Sequence, residues 1–269
     1  MSKLSIRKVR LEFPRQGRPP VIALEDIEIG VPDKQFAVIV GPSGCGKSSL
    51  LYLVAGLMEP SGGDLLLDGR RIEGSGRDRG MVFQSYTLFP WLTVRGNVAF
   101  GLKLRGLPEA EIRSIVDRYV REVGLAGFED AFPKQLSGGM MQRVALARAM
   151  ANDPAVLLMD EPFGALDSQT RLVMQQLLLR VWEHEHKTVL FVTHDIDEAI
   201  FLGDRVFVMT ARPGRIKEEI AIELPRPRAA AVTLSSELIA IKQRILGLLQ
   251  AEVSKSLGLE PAPDEELAK

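Results

Sequence analysis

Cysteine is nearly absent from this chain: among 269 residues only Cys45 carries a thiol, so no internal disulfide framework exists. With three histidines beside it, the donor supply also argues against a structural zinc site, and a reducing compartment is compatible. Net charge is missing too. The 34 Lys and Arg against 35 Asp and Glu leave a formal −1, which gives no global reason to expect DNA, RNA or an anionic bilayer as partner. No run of residues approaches the ~18 consecutive apolar positions of a membrane-spanning helix. The stretch from Met1 to Lys8 breaks up with charge before a signal-peptide core can develop. A membrane role therefore requires docking on another protein. The length suits one large α/β core with a smaller lobe, and a 46% hydrophobic content is ordinary for a globular chain.

Against these absences stands one strong presence. Gly41-Pro42-Ser43-Gly44-Cys45-Gly46-Lys47-Ser48 fits G-x-x-x-x-G-K-[ST], with an apolar run (Phe36 to Val40) before it and a helical one after it. The glycines let successive backbone N–H groups converge on phosphate oxygens, and the following helix aims its positive end at the same charge. Lys47 would reach the terminal phosphates. Ser48 would offer its hydroxyl to a magnesium ion bridging them. Cys45, inside the loop, is expected to be shielded when nucleotide fills it.

The rest of the chain supplies candidate partners for that loop. Leu4 to Phe13 and Val21 to Val31 alternate apolar and polar and predict antiparallel strands. Phe13, closing the first, could stack on a purine or pack beneath the loop. Ser48 to Leu57, Pro108 to Val123, Met140 to Ala151 and Thr170 to Trp182 read as helices. Leu88-Phe89-Pro90-Trp91-Leu92 is apolar but broken by proline, so it is either tucked into the core or a landing site for a partner. Ala155 to Met159 and Thr188 to Val192 read as buried parallel strands. The first ends in Asp160-Glu161, the second in Thr193-His194-Asp195, and ligands of an open parallel sheet bind beyond such carboxyl ends. Arg205 to Met209 and Ile220 to Leu224 read as further strands around Arg212-Pro213-Gly214. Leu234 to Val253 predicts a helix with one apolar face, packed on the body or on a second copy. From Gly258 onward the composition predicts a disordered tail.

The ordered set Lys47, Gln84, Ser137-Gly138-Gly139, Asp160-Glu161, Asp167 and His194 resembles the ATP-binding cassette family of transport ATPases over residues 4 to 225. Leu136-Ser137-Gly138-Gly139 looks like that family's signature. The resemblance implies an α/β phosphate-loop core with a mostly parallel sheet, an N-terminal antiparallel β-subdomain and an inserted helical subdomain. Residues 1–225 would form the ATPase domain, 85–153 its helical subdomain, 226–257 a C-terminal helical extension and 258–269 the tail. ATP and Mg2+ are the implied ligands. ATP would meet Phe13, the loop from Gly41 to Ser49 (Gly41, Pro42, Ser43, Gly44, Cys45, Gly46, Lys47, Ser48, Ser49), Gln84, Ser137, Gly138, Gly139 and Asp167. The metal would be held by Ser48, Gln84 and Asp160. Glu161 would be the general base, assisted by His194, Gln84 and Lys47. Met140 departs from the glutamine commonest after the signature, but the phosphate contacts fall on the serine and glycines.

Two such cassettes, identical or paralogous, would sandwich two ATP molecules, each between one phosphate loop and the other subunit's signature. The stretches Leu88 to Val94 and Met209 to Ile216, with Met140, look most like the ATPases of bacterial nitrate, sulfonate, taurine and bicarbonate importers. That likeness implies permease subunits as partners, an extracytoplasmic solute-binding protein indirectly, no nucleic acid, and a place on the cytoplasmic face of the inner membrane. The alternative is a superfamily member acting on DNA ends or ribosomes. The segment between Ser48 and Ser137 is too short for the coiled coil of the DNA-repair relatives, and a single cassette departs from the usual ribosomal form.

Overall fold

The two strand patterns of the sequence become two sheets in a computed structural model that describes residues 2–228, 232 and 235–257. The predicted tail, 258–269, lies outside the described residues. The alternating stretches form β1 (Ser2–Arg15) and β2 (Arg18–Pro32), which pair antiparallel. Together with β4 (Gly62–Leu67) and β5 (Arg70–Arg71) they make a four-stranded sheet in the order β2-β1-β4-β5.

The continuous apolar runs build the second sheet. Its strands are β3 (Phe36–Val40), β6 (Arg79–Val82), β7 (Val156–Asp160), β8 (Thr188–Thr193), β9 (Arg205–Met209) and β10 (Ile216–Ala221). The order is β10-β9-β3-β8-β7-β6, with only β10 antiparallel to its neighbour. The predicted strand Ile220 to Leu224 is thus displaced toward the N-terminus. A tight turn after Met209 pairs Ile216 directly with it, and Ile222 and Leu224 are buried beyond the strand's end, which is why their apolar run misleads.

Strands buried on both faces sort their side chains by parity. Phe36, Val38 and Val40 enter one core, with Val189 and Phe191 of β8, beneath α4 (Gly138–Ala151), α5 (Ser168–Glu185) and α6 (Ile196–Leu202). Ala37 and Ile39 enter the other, with Leu190 and Val192, α1 (Lys47–Ala55) and the inner face of the antiparallel sheet. Between β6 and β7 the chain leaves the sheet as α2 (Val94–Leu104) and α3 (Glu109–Glu122), returning through α4. A last helix, α7 (Ser236–Leu257), packs against α6 and β9. No helix of the described residues is long and apolar enough to cross a membrane.

Helix α2 escaped the sequence reading because Gly96 and Gly101 lie inside it. Its start is nonetheless encoded, since the Thr93 hydroxyl accepts from the Gly96 N–H. The short α6 begins likewise at Asp195, whose carboxylate accepts from the Glu198 N–H.

Candidate functional site

β3, β7 and β8 are neighbours in the sheet, and their carboxyl ends deliver the phosphate loop, Asp160-Glu161 and His194 to one place. Side chains of Thr93, Ser137, Asp167 and Asp195 cap α2, α4, α5 and α6, whereas α1, like α3, starts with no side-chain cap. The first amides of α1 are therefore open to an external anion. Gly46 must be glycine: its φ is 105°, and a Cβ there would lie 2.6 Å from the Leu24 side chain.

Lys47 is only 6% exposed. Its ammonium bridges the loop's own carbonyls, donating to Gly41 O at 2.9 Å and Pro42 O at 3.1 Å. The Ser48 hydroxyl donates to Asp160 Oδ1 at 2.8 Å. Burial pushes the Asp160 carboxyl above its ordinary range, while hydrogen bonds from Ser48 and Tyr52 and the charge of Lys47 oppose this. Two hard oxygens, desolvated side by side next to a phosphate loop, suit a cation that would offset the desolvation. Among the described residues no group of three or more Asp, Glu, His and Cys could hold a metal by itself.

Glu161 sits one residue past Asp160 in a conformation that few non-glycine residues adopt, with φ 42°. Its N–H donates to Val192 O at 2.9 Å and its C=O accepts from Gly164 N at 3.1 Å, which pins the turn. The carboxylate is thereby aimed at β8's end, where Oε2 lies 2.9 Å from His194 Nδ1. A cavity of about 390 Å3 joins Phe13 to Ser43, Gly44, Gly46, Lys47, Ser48, Ser49, Gln84 and Glu161. Arg212, which the sequence reading left in a turn, completes its wall. Phe13 is 42% exposed at the rim, so of its two readings the structure favours an open ring over one packed beneath the loop. Gly41 and Pro42 face inward through the carbonyls that hold Lys47.

Cys45 behaves differently from the expectation. It is 1% exposed within the chain alone, and burial raises its thiol pKa. The fold itself shields it.

Ser137, Gly138, Gly139 and Asp167 are not in that cavity. Ser137 caps α4 by accepting from the Met140 N–H at 3.3 Å. Asp167 caps α5 by accepting from Gln169 and Thr170 N–H, and those backbone bonds hold its carboxyl below the usual range. The two caps adjoin, since a Cβ on Gly139 would lie 2.9 Å from the Thr170 methyl. The phosphate-loop cavity and the capped starts of α4 and α5 are thus two separate places on the chain.

The sequence model of the family described as ABC transporter matches residues 24–164. An uncharacterised ABC transporter ATP-binding protein of Methanocaldococcus jannaschii is 52% identical over 95% of this chain and 94% of its own length. The chain belongs to the ABC transporter family. As a member it binds ATP and is an ATPase. The cassette is also 51% identical to the nitrate import ATP-binding protein of Synechocystis sp. over 77% of this chain and 78% of the relative. It is 44% identical to the aliphatic sulfonates import ATP-binding protein of Bacillus cereus over 93% and 99%. A solved dimeric structure of a post-hydrolysis state of an ATP-binding cassette, bound to ADP and Pi, superposes with a TM-score of 0.72 at 32% identity, covering 82% of this chain and 100% of that one.

Two polar side chains, the buried Asn97 and the half-buried Arg148, organise the cassette's outer groove, and sequence reasoning missed both. Asn97 accepts from Phe89 N–H and donates to the Leu92 and Thr93 carbonyls. Arg148, on α4, donates to Thr87 O at 2.7 Å and Tyr86 O at 3.3 Å and lies over the Phe89 ring. A cavity of about 630 Å3, bounded by Met81, Phe83, Phe89, Phe100 and Leu104, opens there. Trp91 beside it is 69% exposed. The alternative left open for residues 88–92 resolves into a half-buried Phe89 and an exposed Trp91.

Proposed function

We propose that this chain is the ATP-hydrolysing subunit of an importer for a small anion of the nitrate, sulfonate, taurine or bicarbonate class. The observation that carries the mechanism is the Glu161–His194 pair at the mouth of the phosphate loop. Glu161 takes a proton from the attacking water, and His194, held against its carboxylate, fixes where that carboxylate points. Lys47 exchanges two neutral carbonyls for phosphate oxygens, a stronger charge-assisted bond. Ser48 and Asp160, with Gln84, would hold Mg2+, which supplies charge neutralisation to the phosphates when bound.

Ser137, Gly138 and Gly139 lie outside the cavity, so they act in the second subunit's site, and ATP joins two cassettes. Asp167, beside them, borders the same seam. The groove at Phe89 and Trp91 takes the permease. Arg148 ties the loop after Gln84 to the signature helix, so nucleotide state and dock move together. The permease holds the chain at the cytoplasmic face of the membrane, and a solute-binding protein feeds the permease from outside. The import names of the relatives support this reading over a role on DNA ends or ribosomes.

The test is reconstitution with a permease that copurifies with this chain. Phe89→Ser with Trp91→Ser should leave ATP binding unchanged and abolish ATP-driven uptake. Normal assembly and uptake by that variant would place the dock elsewhere.

A further inference from the structure

Arg212 lines the phosphate cavity from the stretch Met209 to Ile216 and is not among the residues expected to meet ATP or the metal. Its Nη2 donates to the carbonyl of Gly44, inside the loop, at 3.1 Å. No carboxylate of the described residues pairs with it. A guanidinium has five donors and a permanent charge, so most of its capacity is unspent next to a loop that receives anions.

The turn that carries Arg212 is built to stay there. The Gly214 N–H donates to Ala23 O at 2.9 Å, and Gly214 O accepts from the Glu25 N–H at 3.0 Å. A Cβ on Gly214 would lie 2.2 Å from Cys45 O, so this backbone rests directly on the phosphate loop. The Thr210 hydroxyl bonds Pro213 O and the Arg215 N–H within the turn.

The remaining anchor comes from α7. Leu238, Ile245 and Glu252 recur every seventh residue and are all buried, which places a carboxylate where a helix that only packed would carry an apolar side chain. Glu252 Oε2 accepts from the Ala211 N–H at 3.2 Å, and Oε1 accepts from Lys217 Nζ at 2.7 Å. Glu252 is therefore one residue away from Arg212 along an unbroken set of contacts running from α7 to the loop.

We propose that Arg212 is a ligand of the nucleotide's phosphates and that α7 positions it through Glu252. The proposal rests on the ATP-binding reading of the cavity. A charged phosphate oxygen is a better partner for guanidinium than the Gly44 carbonyl, so Arg212 turns to the phosphate when nucleotide arrives. Displacing α7 would loosen the Ala211 backbone and weaken nucleotide binding without touching the loop.

Equilibrium titration of the full chain with ADP and with pyrophosphate tests this. Losing one charge-assisted contact predicts that Arg212→Ala weakens both ligands by about 10-fold or more. Arg212→Lys should recover part of the loss, and the thermal midpoint without ligand should stay unchanged. Glu252→Ala should weaken binding less. Added to Arg212→Ala it should cost nothing further, because a positioning residue has no effect once its target is gone. If Glu252→Ala fails to fold, Glu252→Met, which fills the same space but gives Ala211 no carboxylate oxygen, serves in the same cycle. Wild-type affinity in folded Arg212→Ala would overturn the proposal. So would a loss for ADP that pyrophosphate does not share, and additive effects in the cycle would overturn the role of α7. Lys47→Ala is the control: if it too leaves ADP and pyrophosphate binding intact, the assignment of the cavity fails rather than that of Arg212.

Discussion

Replacing Glu161 by Gln isolates proton transfer, because Gln keeps the volume of the side chain and one oxygen to face His194 Nδ1, now 2.9 Å from Oε2. The strained backbone at φ 42° is held by bonds from residues 161, 164 and 192 that the substitution leaves in place. What disappears is the ability to accept a proton from water. A general base contributes ~10²–10⁴-fold, which corresponds to about 3–5 kcal/mol of added barrier at 1.36 kcal/mol per tenfold. Phosphate release at saturating ATP should fall by that factor with the dissociation constant for ATP unchanged. Uncleaved ATP should then accumulate between Lys47 of one subunit and Ser137 of the other. Light scattering should show a monomer without nucleotide, a dimer with ATP, no dimer with ADP, and none with ATP once Ser137→Arg is added. An isolated interface that proves too weak should close in the assembled permease complex. Undiminished hydrolysis by Glu161→Gln, with a mass independent of ATP, would refute both the base and the two-subunit site.

Asn97→Ala should lower stability in urea by about 1–3 kcal/mol, the cost of orphaning buried backbone groups, with no change in ADP affinity; an unchanged midpoint would mean Asn97 does not buckle the Phe89 loop. Glu198 is 4% exposed, and burial raises its carboxyl pKa against hydrogen bonds from Thr193 and Gln175. The native state thus keeps a proton that the unfolded chain releases, and stability falls as pH rises from the ordinary carboxylate range through the raised value. Glu198→Gln should therefore raise the thermal midpoint at pH 8 and change it little at pH 4; a gain that does not grow with pH would contradict this. Cys45 should react slowly with a small maleimide both with and without Mg-ATP, and rapid labelling of the nucleotide-free protein would show that the loop opens.

Local spacing along the chain encodes the motifs and the strand patterns. A phosphate loop needs its glycines, lysine and serine within eight consecutive positions, and a strand buried on both faces must be apolar without interruption, so the loop with Lys47 and Ser48 and the strands ending in Asp160-Glu161 and His194 were legible, while their joining into one site came from the resemblance to a family. The antiparallel sheet was legible from alternation in β1 and β2. Contacts between distant segments were not. Only folding brings Tyr52 to Asp160, Arg148 to the carbonyls of residues 86 and 87, and Asn97 to the loop it buckles, because each partner is chosen by sheet order and helix packing rather than by spacing along the chain. The exposure of Trp91 and the burial of Cys45 were decided the same way, by what the tertiary fold stacks on each. Arg212 shows the limit most plainly: along the chain it is a turn residue before proline, and its place against Gly44 exists only because β9 lies beside β3 and α7 holds the turn down.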